Sequence, residues 1–128
     1  MENTRSSSRK LYLGLALAAT LALVAVPATA AHIACRVSDT TPSPGETIGV
    51  AGDGFQPGST VEIFYDDPTH QTLIGTATVN QRERFSANVT IPADAELGTA
   101  QIIVRGLDAH SGNPTSCSVT IRVVPSDG

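Results

Sequence analysis

Arg84-Phe85-Ser86-Ala87-Asn88-Val89-Thr90-Ile91 decides the fold. Apolar Phe85, Ala87, Val89 and Ile91 alternate with polar Ser86, Asn88 and Thr90, and a period of two sends one set into a core and the other into water. Upstream, Thr60 to Tyr65 puts Val61, Ile63 and Tyr65 on one face and Glu62 and Phe64 on the other. Downstream, Thr99 to Arg105 turns Ala100, Ile102 and Val104 inward. Ser116 to Val124 turns in Cys117, Val119, Ile121 and Val123 against outward Ser118, Thr120 and Arg122. Cys35 to Ser38, Thr47 to Ala51 and Gln71 to Val79 complete seven strands. Turn clusters such as Pro42-Ser43-Pro44-Gly45 and Asn80 to Glu83 separate them at intervals of roughly ten residues. No helical period survives beyond residue 30, so the expectation is all-β: one sandwich of about seven strands over residues 31–128.

Residues 1–30 read differently. Arg5, Arg9 and Lys10 precede an uncharged apolar run, Leu11 to Val26, which is shorter than the roughly 20 residues a spanning helix needs. Ala28-Thr29-Ala30 then supplies small residues for a cut before Ala31, so this segment is expected to be a secretion signal peptide, with no membrane attachment after cleavage. Residues 31–128 carry 11 acidic residues against five arginines and no lysine. Binding to nucleic acid or to anionic lipid depends on clustered Lys and Arg, and this balance argues against both.

A secreted chain with two cysteines most simply joins them, and Cys35 and Cys117 both fall on the inward parity of terminal strands. Two cysteines this far apart lack zinc-site spacing, and a metal would have to gather at least two of His32, His70 and His110. A lipid-modified Cys35 is the competing reading, but His32-Ile33-Ala34-Cys35 departs from that pattern at His32 and would strand Cys117.

Gly52-Asp53-Gly54-Phe55-Gln56-Pro57-Gly58-Ser59-Thr60-Val61-Glu62-Ile63 resembles the signature of bacterial immunoglobulin-like domains of the IPT/TIG surface-protein type. Pro42-Ser43-Pro44-Gly45-Glu46-Thr47 and Val89-Thr90-Ile91-Pro92-Ala93-Asp94 with Gly98 resemble that family's further turns. The resemblance implies an immunoglobulin-like sandwich acting as an extracellular spacer, adhesin module or accessory domain. Its shared residues are turn and core positions: Gly54 and Gly58 permit positive φ, Pro57 presets a turn and Phe55 plugs one end. A more distant resemblance to neocarzinostatin-type apoproteins implies a carrier of a hydrophobic small molecule. Those proteins have two short-range disulfides, which Cys35 and Cys117 do not reproduce.

Candidate chemistry is sparse. Asp108-Ala109-His110-Ser111 sets acid, imidazole and hydroxyl side by side, but triad members come from separate elements, and the stretch reads as a polar loop. Cys117 near His110 is no nucleophile once disulfide-bonded. Asn88-Val89-Thr90 has the form of a glycosylation acceptor and reads as strand surface. Phe64 is the one outward aromatic, and with Ile103 and Val124 it makes a small candidate contact patch. If the strands alternate in direction, one end collects Asp39, Glu46, Asp66, Asp67, Asp94 and Glu96, while the other receives Asp53, Arg82, Glu83, Asp108 and His110. The acidic end offers Asp66, Asp67, Asp94 and Glu96 as calcium candidates or as a contact for a cationic partner, although no dedicated calcium loop is present.

These readings converge on a secreted module at the cell surface or outside the cell, with no catalytic residues, no cofactor and an extracellular protein or cell-wall partner. A monomer, or a weakly associating one, is expected. The alternatives are the small-molecule carrier and an accessory or structural subunit of a surface protein. A carrier should have an open cleft lined by apolar side chains, an accessory module a flat sheet or edge.

Overall fold

The computed structural model describes residues 33–126. The expected signal peptide and its cleavage site lie outside the described residues. Seven strands form: β1 (Ala34–Val37), β2 (Thr47–Asp53), β3 (Thr60–Asp66), β4 (Gln71–Thr78), β5 (Arg84–Thr90), β6 (Gly98–Leu107) and β7 (Pro114–Val123). They make two antiparallel sheets, one of three strands in the order β1-β2-β5 and one of four in the order β4-β3-β6-β7.

The inward sets are those the alternation predicts. Val61, Ile63 and Tyr65 from β3, Ala100, Ile102 and Val104 from β6, and Phe85 and Val89 from β5 are buried, and Ile121 and Val123 join them from β7. Phe55 is fully buried at one end, edge-on to Phe85 with ring centroids 5.7 Å apart. Gly54 and Gly58, which flank that segment, both adopt positive φ (94° and 81°), as a tight turn demands. Gly106 leaves room for Phe55, since a Cβ there would stand 2.8 Å from the Phe55 ring and 2.7 Å from Val61.

The sandwich is closed along both sides. On one side the edge strands β1 and β7 are joined by Cys35–Cys117, with Cα atoms 6.1 Å apart. The bond is half-buried and packs against the core where it bridges the edge strands of the two sheets, in keeping with the inward parity of both cysteines. The chain after β1 then crosses over, and Thr40 and Pro42 carbonyls accept from Arg122 and Val124 N–H, covering the last part of the β7 edge. On the other side β4 approaches β5, where a Cβ at Gly75 would meet Val89 at 2.9 Å.

Candidate functional site

Two features stand out among the described residues: the acidic end and the outer face of the four-stranded sheet. The β1–β2, β3–β4 and β5–β6 connections do share one end. Ile91 N–H donates there to the Glu46 carbonyl and Gly45 N–H to the Ile91 carbonyl, and Tyr65 beneath feels the charges of Asp67, Glu96 and Asp94. The opposite end holds the other connections, tied by Gly54 N–H to Glu83 O and Ala109 N–H to Gly54 O.

The carboxylates of the acidic end do unequal work. Asp39 Oδ1 accepts from the Thr41 N–H and hydroxyl, and that backbone bond, with Glu46 beside it, holds its carboxyl below the usual range. Glu46 itself accepts from the Ser43 N–H and hydroxyl. Asp67 is turned inward: its side chain is buried, and Oδ1 accepts from Thr69 N–H, Thr69 hydroxyl and His70 N–H. Burial pushes this carboxyl up, but the three hydrogen bonds and the neighbouring His70 ring, 3.3 Å away, outweigh it and hold Asp67 below its ordinary value. Asp67 Oδ2 and the Tyr65 hydroxyl are buried neighbours, and neither makes a well-formed hydrogen bond. Burial, then the Asp67 charge, pushes the Tyr65 phenol up to about 12. Asp66, Asp94 and Glu96 remain toward solvent, Asp66 reached only by a 3.4 Å contact from Gln71, and Leu97, which follows Glu96, is 58% exposed.

The four calcium candidates therefore share an end without converging. Among the described residues no three His, Cys, Asp or Glu side chains come together to hold a metal ion. Asp67 faces inward because it continues the parity of Val61, Ile63 and Tyr65.

The contact patch also divides. Phe64 and Ile103 are direct cross-strand partners, whereas Val124 follows Val123, whose partner is Gly98 at the far end of β6. Five residues of strand, on the order of 17 Å, separate the two places. The row extends the other way, since Phe64 pairs with Leu73 of β4, which is 49% exposed. A bulge makes this possible: Ile63 pairs with Gly75 and Phe64 with Leu73, so Ile74 is the extra residue and turns toward the core. Arg105 stacks its guanidinium over the Phe64 ring, 4.7 Å from the centroid. This is the cover over the one outward aromatic. Directly across from Arg105 stands Glu62. A shallow depression of about 380 Å³, lined by Thr60, Glu62, Arg105, Gly106, Leu107 and Pro114, borders the row.

The remaining candidates have structural roles. Asp108 Oδ1 accepts from the His110 and Ser111 N–H groups, the Ser111 bond being foremost in holding this carboxyl below its usual value, so the stretch is a loop stapled by its own aspartate. Asn88 is exposed on β5. Asp53 lies between Arg36 Nη1 at 3.4 Å and Arg84 Nε at 3.3 Å, the latter an ion pair without hydrogen-bond geometry. Sequence reasoning missed Leu73, Leu97 and the Arg105–Phe64 stack, although Leu73-Ile74-Gly75 carried a signal in two successive apolar residues followed by a strand glycine. No known family model and no curated protein matches the chain.

Proposed function

We propose that the chain is a secreted, non-catalytic binding module with an immunoglobulin-like sandwich, related in kind to IPT/TIG-type domains, that engages a cationic partner at the cell surface or outside the cell. The observation that carries the reading is the acidic end, where three separate connections deliver carboxylates and where Leu97, next to Glu96 in the chain, is exposed. A concentrated field of one sign accelerates and selects partners of the opposite sign. The half-buried disulfide supports an oxidising compartment. Immunoglobulin-like sandwiches share architecture without always sharing exact topology, and pairing of β4 with β3 is one such variation. Between carrier and interaction module, the filled interior favours the latter, because the space between the sheets is occupied by Tyr65, Phe55 and their neighbours.

The test uses residues 31–128, a lysine-rich peptide and purified cell wall as probes, and a D66N/D94N/E96Q variant that leaves Asp67 in place. Binding should weaken at least tenfold in the variant and fall steadily with salt over the range where the screening length shrinks below about 10 Å. Binding to both probes that is indifferent to salt and to these substitutions would overturn the reading.

A further inference from the structure

We infer that the outer face of the four-stranded sheet is a self-association surface, and that its occupant is a second copy of this chain related by a two-fold axis running along the seam between β3 and β6. The inference goes beyond the acidic-end reading and does not depend on it.

The argument starts from the register. Across the seam, Glu62 faces Arg105, Phe64 faces Ile103 and Asp66 faces Gln101. All six point outward, since their chain neighbours Val61, Ile63, Tyr65, Ile102 and Val104 are buried. Glu62 and Arg105 are opposite charges directly across from one another, yet they form no ion pair. The ion pairs among the described residues involve Asp53 and Asp67 instead. Arg105 holds its guanidinium over the Phe64 ring, and its N–H groups make no hydrogen bond or ion pair to a side chain among the described residues, so they remain available to a carboxylate from outside.

A two-fold axis lying in the face, parallel to the strands, exchanges β3 of one copy with β6 of the other at the same height. Every cross-strand pair is thereby repeated across the interface. Glu62 of each copy meets Arg105 of its mate, Phe64 meets Ile103, and Asp66 meets Gln101. Isologous contact needs this self-complementarity, in which residue i meets j and j meets i. Sheets stack with strands within about 30° of one another, which a rotation about the strand direction respects. Leu73, 49% exposed, then gains cover at the rim.

Size sets the strength. Four strands about 4.8 Å apart and about 25 Å long present a face near the lower bound of a specific interface, so the association expected is a weak one. Because the axis leaves strand direction unchanged, both acidic ends emerge on the same side. A dimer then offers two such ends to one polycationic partner, which raises avidity without any new contact.

Sedimentation equilibrium of residues 31–128 from about 10 µM to about 1 mM at 150 mM salt tests the proposal. A monomer–dimer equilibrium is expected. Leu73→Asp and Glu62→Arg should each weaken it at least tenfold, and the double variant E62R/R105E should return to within a few-fold of the parent because the pair is restored with its signs exchanged. Circular dichroism confirms that each variant is folded, and Glu62→Arg carries the test alone if L73D does not fold. A monomer throughout the concentration range overturns the proposal. A dimer indifferent to both single substitutions overturns the face, and a double variant as weak as its parent single variants overturns the two-fold arrangement.

Discussion

Replacing Cys35 and Cys117 by alanine, or reducing the bond between them, frees ends that lie 82 residues apart in sequence. In the chain-entropy account, closing a loop of that length removes about 4.5 kcal/mol of denatured-state freedom at 25 °C. A domain of this size holds about 5–15 kcal/mol in all, so the bond supplies about 30% of it or more. The native state adds little to the argument, because the sulfurs are half-buried and the strands they join keep other partners, β1 on β2 and β7 on β6. At roughly 4–8 °C per kcal/mol, loss of the bond should lower Tm by at least about 18 °C. Urea unfolding of oxidised, reduced and C35A/C117A protein at 25 °C measures the difference directly. Hydrogen exchange supplies a second readout: the four residues of β1 form an edge held by β2 alone once the bond is gone, so amides of Ala34–Val37 should lose protection before those of β6. If reduced and oxidised protein unfold within about 1 kcal/mol of each other, the disulfide is not the closure described here.

Glu83 is the one described non-glycine residue with positive φ (67°), at the end of the β4–β5 turn, so Glu83→Gly relieves roughly 1–2 kcal/mol of left-handed strain against about 0.4–1 kcal/mol of added unfolded-state entropy and should stabilise the domain by about 0.5–1 kcal/mol in the same urea assay. Gly106→Ala should destabilise it by about 1–3 kcal/mol, because the new Cβ meets Val61 and Phe55 at under 3 Å in a filled core. Tyr65 is the only tyrosine of residues 31–128, so absorbance at 295 nm reads it alone: no phenolate should form at pH 10, and the midpoint should lie near 12 or coincide with alkaline unfolding. The raised phenol contributes stability that is complete below pH 10 and is lost as pH climbs from 10 toward 12, a loss that Tyr65→Phe should abolish. Asp39, Asp67 and Asp108 are depressed, so their contribution is present above about pH 4 and disappears as acid titrates them below it, and an acid unfolding curve of D67N should show a smaller loss.

The strands were legible because each buries one face, and burial of one face writes itself into the chain as alternation. Their limits were less so. β6 runs on to Leu107 and β7 begins at Pro114, two residues beyond the expected ends, although glycine and proline both signal turns. Pro114 is tolerated because β7 is an edge strand whose missing N–H has no neighbour to serve. Asp67 was legible in principle: its parity matches Tyr65, but a pair of adjacent aspartates reads as two solvated charges until the turn that consumes one of them is seen. Val124 has the right parity and the wrong height, and height is a matter of register between strands far apart in sequence. The same holds for Arg105, which reaches Phe64 only because β3 and β6 are neighbours.

What the acidic end can do depends on which of its carboxylates are already occupied. Asp39 and Asp67 each hold the turn that follows them, and Glu46 holds the Ser43 N–H. These three are accounted for by folding alone, since aspartate at such positions closes a turn wherever the chain must reverse. Asp94 and Glu96 make no side-chain hydrogen bond among the described residues, and Asp66 has only the long contact to Gln71. Their carboxylate oxygens are therefore left for a partner to contact, and Glu96 adjoins Leu97, an apolar side chain the fold does not cover. A cationic partner should accordingly be sensitive to Asp94, Glu96 and Asp66 and nearly indifferent to Asp39, whose loss should appear in stability instead. Equal binding losses at both sets would mean that the general field, not a local contact, attracts the partner.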